Sequence, residues 1–181
     1  MKTFKHIYFL KDFKHFIKTK YDFNKIGEDR LASLFFPKNK DFLTLQLGTL
    51  YTLDIVKNNL HLGGYLFPSI KTIKVGIENS TFIILPSQSR LLEKIYQTEL
   101  YKKDIPRNTL DAILKSYLLS FFLFLKKILN KYPYPLYVSG GDYKFLKVHF
   151  KYFGIKFVYE PFIVLKGLKN FFYRFKIYKN I

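Results

Sequence analysis

The chain reads as an α/β domain built on a mixed sheet, in which an antiparallel three-stranded meander comes first and helices with two further strands follow. Three observations lead there. Residues 42–66 hold three short β-rich runs, split by Gly48 and by Lys57-Asn58-Asn59. The stretch from Pro106 to Asn130 repeats Ile113, Tyr117, Phe121 and Leu125 at helical spacing. Beyond it, a strand, a glycine turn, a helix, a strand and a helix succeed one another, the pattern of an α/β or mixed-sheet domain.

The elements follow in order. Lys5 to Phe9 suits a strand and Lys11 to Lys18 a short helix. Gly27-Glu-Asp-Arg30 punctuates, and Leu31 to Phe36 reads as helical until Pro37 stops it. Phe42–Leu47, Thr49–Val56 and Leu60–Leu66 form the meander, and the Asn58-Asn59 pair tolerates the positive φ of a tight hairpin. Helices are expected over Ile70–Glu78, Gln88–Gln97 and Pro106–Asn130, with proline near the start of the last. Pro135–Ser139 is a strand, Gly140-Gly141-Asp142 a turn, and a helix runs to about Tyr152. Ile155–Tyr159 makes another strand and Phe162 to about Phe172 a final helix.

Composition narrows the function. The 181 residues suffice for a sizeable core, and 49% hydrophobic with 20% aromatic content is not the composition of a disordered chain. There is no cysteine, so disulfides and thiolate metal sites are excluded, and a cytoplasmic location fits. No apolar run reaches the roughly 18 residues of a spanning helix. Ser116–Leu125, flanked by Lys115 and Lys126-Lys127, suits a buried helix, with an interfacial membrane helix as the other reading. Lys11 and Lys14 interrupt the N-terminal apolar stretch, so no signal peptide is expected. The net charge of +18 invites a nucleic-acid reading, but the arginines are only Arg30, Arg90, Arg107 and Arg174 and the lysines are scattered. Base readout favours arginine forks and phosphate tracking a clustered stripe. A polyanion patch, if present, is best placed at Lys166 to Lys179.

Four clusters carry candidate chemistry. Gly48 lets a phosphate approach the backbone, Thr49 offers a hydroxyl, and Asp54 shares a strand face with Thr52, toward solvent or a metal; an ordinary hairpin with a wet face explains the same residues. Gly63-Gly64 and Pro68-Ser69 either adjoin that cluster or relieve crowding in a bent sheet. Ser139-Gly140-Gly141-Asp142 opens a helix whose first amides can hold an anion, or Asp142 simply caps it. In Gly27-Glu28-Asp29-Arg30, Asp29 can accept a hydroxyl proton and Arg30 can grip a carboxylate, or the group is a surface cap with an exposed ion pair. Asn108-Thr109 is a helix cap or a substrate contact. His6, His15, His61 and His149 form no metal spacing, and no Ser-His-Asp arrangement suggests itself.

Taken in order, these pieces resemble type III pantothenate kinases, of the acetate and sugar kinase, Hsp70 and actin superfamily. The matching segments are Gly27–Arg30, Gly48–Asp54, His61–Gly64 with Pro68, Asn108-Thr109 with Asp111-Ala112, and Ser139–Asp142; Phe162–Leu168 looks like the last strand and helix start. The resemblance covers about residues 20 to 170. It implies an actin-like (ribonuclease H-like) lobe over 41–181 with a partial N-terminal lobe over 1–40. It also implies transfer of the ATP γ-phosphoryl to pantothenate, the first step of coenzyme A biosynthesis. Asp29 would be the general base; Gly27, Glu28, Asp29, Arg30 and Thr109 would contact pantothenate; Gly48, Thr49, Gly140 and Gly141 would line the ATP cleft. A divalent cation (Mg), a monovalent cation (K or ammonium) and a homodimer are implied as well, with no membrane partner.

The chain departs from the family pattern in three places. It has no opening Asp-x-Gly-Asn-Thr segment, which makes it look N-terminally shortened. Gln46 stands where the family's monovalent-cation Asp is, and Ser69 where a glycine is usual. Since one preorganised donor is worth roughly 3–4 kcal/mol in a transition state, these losses bear directly on activity. A kinase, a catalytically impaired relative acting as a ligand-binding or regulatory protein, and a basic nucleic-acid binder are therefore the three functional expectations.

Overall fold

The computed structural model describes residues 9–96 and 105–174. Its centre is a five-stranded mixed sheet of order β3-β2-β1-β4-β5. Strands β1 (Phe42–Leu47), β2 (Leu50–Lys57) and β3 (Leu60–Pro68) pair antiparallel, while β4 (Leu136–Ser139) joins β1 and β5 (Val158–Tyr159) joins β4 in parallel. The β2–β3 turn uses Asn58 at φ 52° and Asn59 at φ 61°, the left-handed pair expected of a tight hairpin.

Alternation along the strands separates two faces. One carries Leu43, Leu45 and Leu47 of β1, Tyr51, Leu53 and Ile55 of β2, and Leu136 and Val138 of β4. The helix α4 (Thr109–Lys131) covers it with Leu118, Phe121, Phe122 and Leu125, and α5 (Tyr143–Tyr152) adds Leu146 and Phe150. The other face carries Thr44, Gln46, Thr52, Asp54 and Ser139, because residues directly opposite in register share a side. A second apolar cluster joins Leu10, Ile17, Ile26, Leu31 and Ala32 to Phe171. It ties the N-terminal segment and α1 (Glu28–Ser33) to α6 (Ile163–Arg174).

The helices α2 (Ile70–Ser80) and α3 (Gln88–Tyr96) complete the fold. Ser69 caps α2, its hydroxyl accepting from Thr72 N at 3.2 Å. Asn108 caps α4 by accepting from Asp111 N at 2.9 Å, so this helix begins three residues after the proline. The cap reading of Asn108 is the one observed.

Several expected boundaries move for local reasons. The helix expected at 31–36 starts at Glu28, because Gly27 is its extended N-cap and the two acidic residues of its first turn suit the helix dipole. Lys11–Lys18 becomes a 3-10 helix over Leu10–Phe16. The strand expected from Ile155 begins at Val158: Ile155 N bonds back to Phe150 O at 2.9 Å and its side chain enters the core, so residues up to 157 finish the preceding turn. The strand expected at Lys5–Phe9 lies outside the described residues except for Phe9, as do residues 175–179 of the proposed polyanion segment. No helix among the described residues is long and apolar enough to cross a membrane.

Candidate functional site at the carboxyl ends of β1 and β4

Parallel pairing brings together two glycine turns that lie in opposite halves of the chain. Strand β4 ends at Ser139 opposite Gln46 and β1 one residue farther on at Leu47, and each runs into a glycine. Gly140 lies against the Leu47 backbone: a Cβ there would sit 2.6 Å from Leu47 N, and its φ of +104° is one that L side chains rarely adopt. Asp142 N then donates to Leu47 O at 3.2 Å, locking the second turn onto the first. Thr49, exposed in the β1–β2 turn, has its carbonyl held by the Thr72 hydroxyl at 3.0 Å. Gly48, Thr49, Gly140 and Gly141 thus share the end of the sheet where parallel strands present ligands, beside the N-terminus of α5.

Asp142 does not cap α5 with its side chain. Its carboxylate instead accepts from the Tyr51 hydroxyl at 2.8 Å. Burial, then the neighbouring Tyr117 and Asp142, push the Tyr51 phenol up; burial and Asp142 push Tyr117 up too. Both phenols therefore stay protonated, and Tyr51 acts as a donor to Asp142. The Tyr117 hydroxyl donates to Pro68 O at 2.7 Å, fastening α4 to the end of β3.

Below the glycine turns, the polar face holds three buried side-chain atoms without a hydrogen-bond partner: Thr44 Oγ1, Gln46 Nε2 and Thr52 Oγ1. Thr44 pairs with Asp54 and Gln46 with Thr52 across β1 and β2, so the three are contiguous. Buried polar groups are nearly always paired, and a contiguous orphaned set indicates a place where a ligand, ion or water completes the bonding.

Farther along this face the polar groups are saturated. Arg30 Nε donates to Asp54 Oδ2 at 3.0 Å and Nη2 to Oδ1, a bidentate pair in which Asp54 is fully buried. His61 Nε2 approaches Asp54 Oδ1 at 2.9 Å, and His61 Nδ1 meets the Thr19 hydroxyl at 2.8 Å. Burial alone would raise the Asp54 carboxyl, but bonds to His61 and Arg30 outweigh it and hold the group below the usual carboxylate range. The same pairing outweighs desolvation at Arg30 and raises its guanidinium. Gly64 makes room: a Cβ there would lie 2.5 Å from Asp54 Oδ1 and 3.1 Å from Arg30 Nη2.

Asp54 therefore faces neither solvent nor a metal, and Arg30 is not half of an exposed pair with Asp29. Asp29 is exposed in the first turn of α1, one oxygen accepting Arg30 N at 2.8 Å and the other uncommitted to that bond. Glu28 turns away from Asp29, its carboxylate accepting Leu10 N at 3.1 Å. Thr109 is exposed at the start of α4. Asp29, Thr49 and Gly140 do not line the cavity of about 370 Å³ enclosed among the described residues. The Thr19–His61–Asp54–Arg30 chain is what sequence reasoning missed; its one visible signal was the His61-x-x-Gly64 spacing opposite Asp54.

Comparison with known proteins now adds to this geometry. No family model matches the chain. A Campylobacter jejuni type III pantothenate kinase is 27% identical over 146 residues, covering 80% of this chain and 62% of the relative. The enzyme of that name from Campylobacter hominis is 28% identical, covering 81% and 63%. One from Acinetobacter baumannii is 29% identical over 151 residues, covering 82% and 57%. This chain is similar in sequence to type III pantothenate kinases. It spans 57–63% of the length of these curated relatives. A Campylobacter jejuni crystal structure, provisionally described as a Baf family transcriptional activator, superposes with a TM-score of 0.66 at 24% identity. It covers 91% of this chain and 70% of its own, a likeness of fold.

Proposed function

We propose that this chain is a type III pantothenate kinase-like transferase of coenzyme A biosynthesis that uses ATP to phosphorylate pantothenate. Residues 41–181 form the actin-like, ribonuclease H-like lobe and residues 1–40 part of the other. The observation that carries the reading is the meeting of the Gly48-Thr49 and Gly140-Gly141 turns at the carboxyl ends of β1 and β4. There, backbone amides and the Thr49 hydroxyl would hold the phosphates, since glycine lets them approach the main chain. The name carried by the curated relatives supports the substrates.

Asp29 would accept the proton of the pantothenate hydroxyl through the oxygen not bonded to Arg30 N. Arg30 spends two of its five donors on Asp54 and lies buried over the Tyr21 ring, so a contact with the pantothenate carboxylate would have to use the N–H groups left over from that fork. Gly27, Glu28 and Thr109 complete the proposed pantothenate contacts, with Glu28 acting through the segment it caps. Phosphoryl transfer rests on positioning and charge neutralisation, so these side chains orient the acceptor instead of making covalent intermediates.

The donor set fits the implied ions unequally. Thr44 and Thr52 supply neutral hydroxyl oxygens toward the implied monovalent cation (K or ammonium), but the orphaned atom of Gln46 is its Nε2 donor, which suits an acceptor and not a cation. Among the described residues no group of three or more His, Asp or Glu forms a divalent cage. A magnesium ion usually needs only one or two carboxylates besides phosphates, and Asp142 is the carboxylate adjoining the glycine turns. When bound, such an ion neutralises phosphate charge. A homodimer in the cytoplasm completes the reading.

A coupled ATP–pantothenate assay tests it. Turnover that Asp29→Asn reduces by at least a hundredfold, with ATP still bound, supports the kinase; ATP binding should also fall in Gly140→Val. A catalytically impaired, ligand-binding relative is the second reading, favoured by the neutral Gln46 in place of an acid. It predicts ATP binding without turnover in the unmodified chain.

A further inference from the structure

At the opposite end of the sheet from the glycine turns lies a cavity of about 370 Å³. The first half of its wall comes from His15, Phe16 and Lys18 of the N-terminal segment, and Phe35 follows from the turn after α1. Phe42 and Val56 add the start of β1 and the end of β2, Asn58 and Asn59 the hairpin turn, and Arg174 the end of α6. His61 lies at its inner wall, already bonded on one side to Asp54 and on the other to Thr19. Nothing in the phosphoryl-transfer reading uses this space.

Its size falls within the range of small-ligand sites, roughly 300–1,000 Å³. Its chemistry is one-sided. Besides His61, three basic residues, His15, Lys18 and Arg174, line it and no Asp or Glu does. Lys18 and His15 make no ion pair among the described residues. Phe16, Phe35 and Phe42 supply flat apolar wall, and hairpin asparagines supply amide groups at the rim. Basic groups around an aromatic-walled hollow match a small anion carrying an aromatic or similarly apolar body, whose charge the cations neutralise and whose body the rings desolvate.

We propose that this cavity is a second ligand site, specific for small aromatic or apolar anions, separate from the glycine-turn site and independent of the kinase reading. Phenyl phosphate is a suitable probe, with benzylamine as the cation of like shape and inorganic phosphate as the anion without a body. The four histidines of the chain provide a local readout. In two-dimensional NMR of the imidazole nitrogens, phenyl phosphate should shift His15 and His61 in a saturable way. His149, buried beneath α4 and bonded to Ile95 O at 2.7 Å, should stay still.

The full chain carrying His15→Gln and Lys18→Glu tests the charge argument at two exposed positions. Affinity for phenyl phosphate should fall at least tenfold, with the circular dichroism spectrum and unfolding midpoint unchanged. Val56→Phe, which fills the hollow without altering charge, should weaken binding comparably, and if it unfolds the chain the double variant still decides. Equal shifts with benzylamine, equal shifts with inorganic phosphate alone, or no saturable shift with phenyl phosphate would each overturn the proposal. Failure here leaves ATP–pantothenate turnover unaffected, so it is distinguishable from failure of the kinase reading.

Discussion

The two ends of the sheet's polar face are built by opposite rules. At the Asp54 end every strong polar group is matched: Arg30 bonds bidentately, His61 bonds to Asp54, and Thr19 bonds to His61. At the Gln46 end Thr44, Gln46 and Thr52 point buried atoms at nothing. A saturated network holds structure, whereas an unsaturated one retains binding capacity at a cost in stability. One face therefore combines a saturated clasp with an unsaturated stretch, and each substitution below separates the two.

The largest effect is expected at the saturated end. Asp54→Ala leaves Arg30 buried and unpaired, which should cost about 3–5 kcal/mol in urea unfolding. Arg30→Met with Asp54→Leu should recover most of that loss, since apolar replacement of a whole buried pair is often neutral. A cost below about 1 kcal/mol for Asp54→Ala would erase the contrast between the ends. Gly64→Ala comes next. Its methyl group would press on the Asp54 carboxylate and Arg30, an overpacking cost of about 1–3 kcal/mol measurable by the same unfolding.

Acid should loosen the same end. The Asp54 carboxyl lies below its ordinary 3.8 when folded, so the native state binds fewer protons there than the unfolded chain. Its contribution is complete above pH 3.8 and is lost as pH falls through the folded value. Burial likewise depresses His149 below 6.5, so its contribution begins to fade already beneath that pH. Urea midpoints should thus decline in two stages on acidification, and His149→Asn should remove the upper stage only. The smallest effect is expected at the unsaturated end. Thr44→Val and Thr52→Val replace orphaned hydroxyls by methyl groups and should leave stability within about 0.5 kcal/mol or raise it slightly. A loss of more than 2 kcal/mol in either would mean that these hydroxyls are paired after all.

Legibility in the sequence followed the range of the interaction. The meander strands, the Asn58-Asn59 turn and the long helix are set by periodicity and local turn chemistry, and the expected and observed segments coincide to within a few residues. Phe42–Leu47 agrees at both ends because its alternation is unbroken. Boundaries slipped where a local bond competed, as when Ile155 bonded back to Phe150 in place of entering the sheet. The candidate glycines were visible one by one, but their meeting depends on β1 and β4 pairing in parallel, which no local pattern states. Arg30 was the hardest to place. Its partner Asp54 lies 24 residues away on another element, and nothing beside Arg30 distinguishes a buried fork from a solvated one.

The strand order also sets a sequence of events for folding. Neighbours β1, β2 and β3 are joined by short turns and can zip locally, but β4 reaches β1 only after α2, α3 and α4 have been threaded past. Closing so long a loop is the slow step in such topologies. The contact between Gly140 and Leu47 belongs to that late closure, so a chain caught before it would possess a nearly finished hairpin array in which the two glycine turns have not yet met. In refolding experiments, the proposed nucleotide binding should accordingly appear only after strand formation.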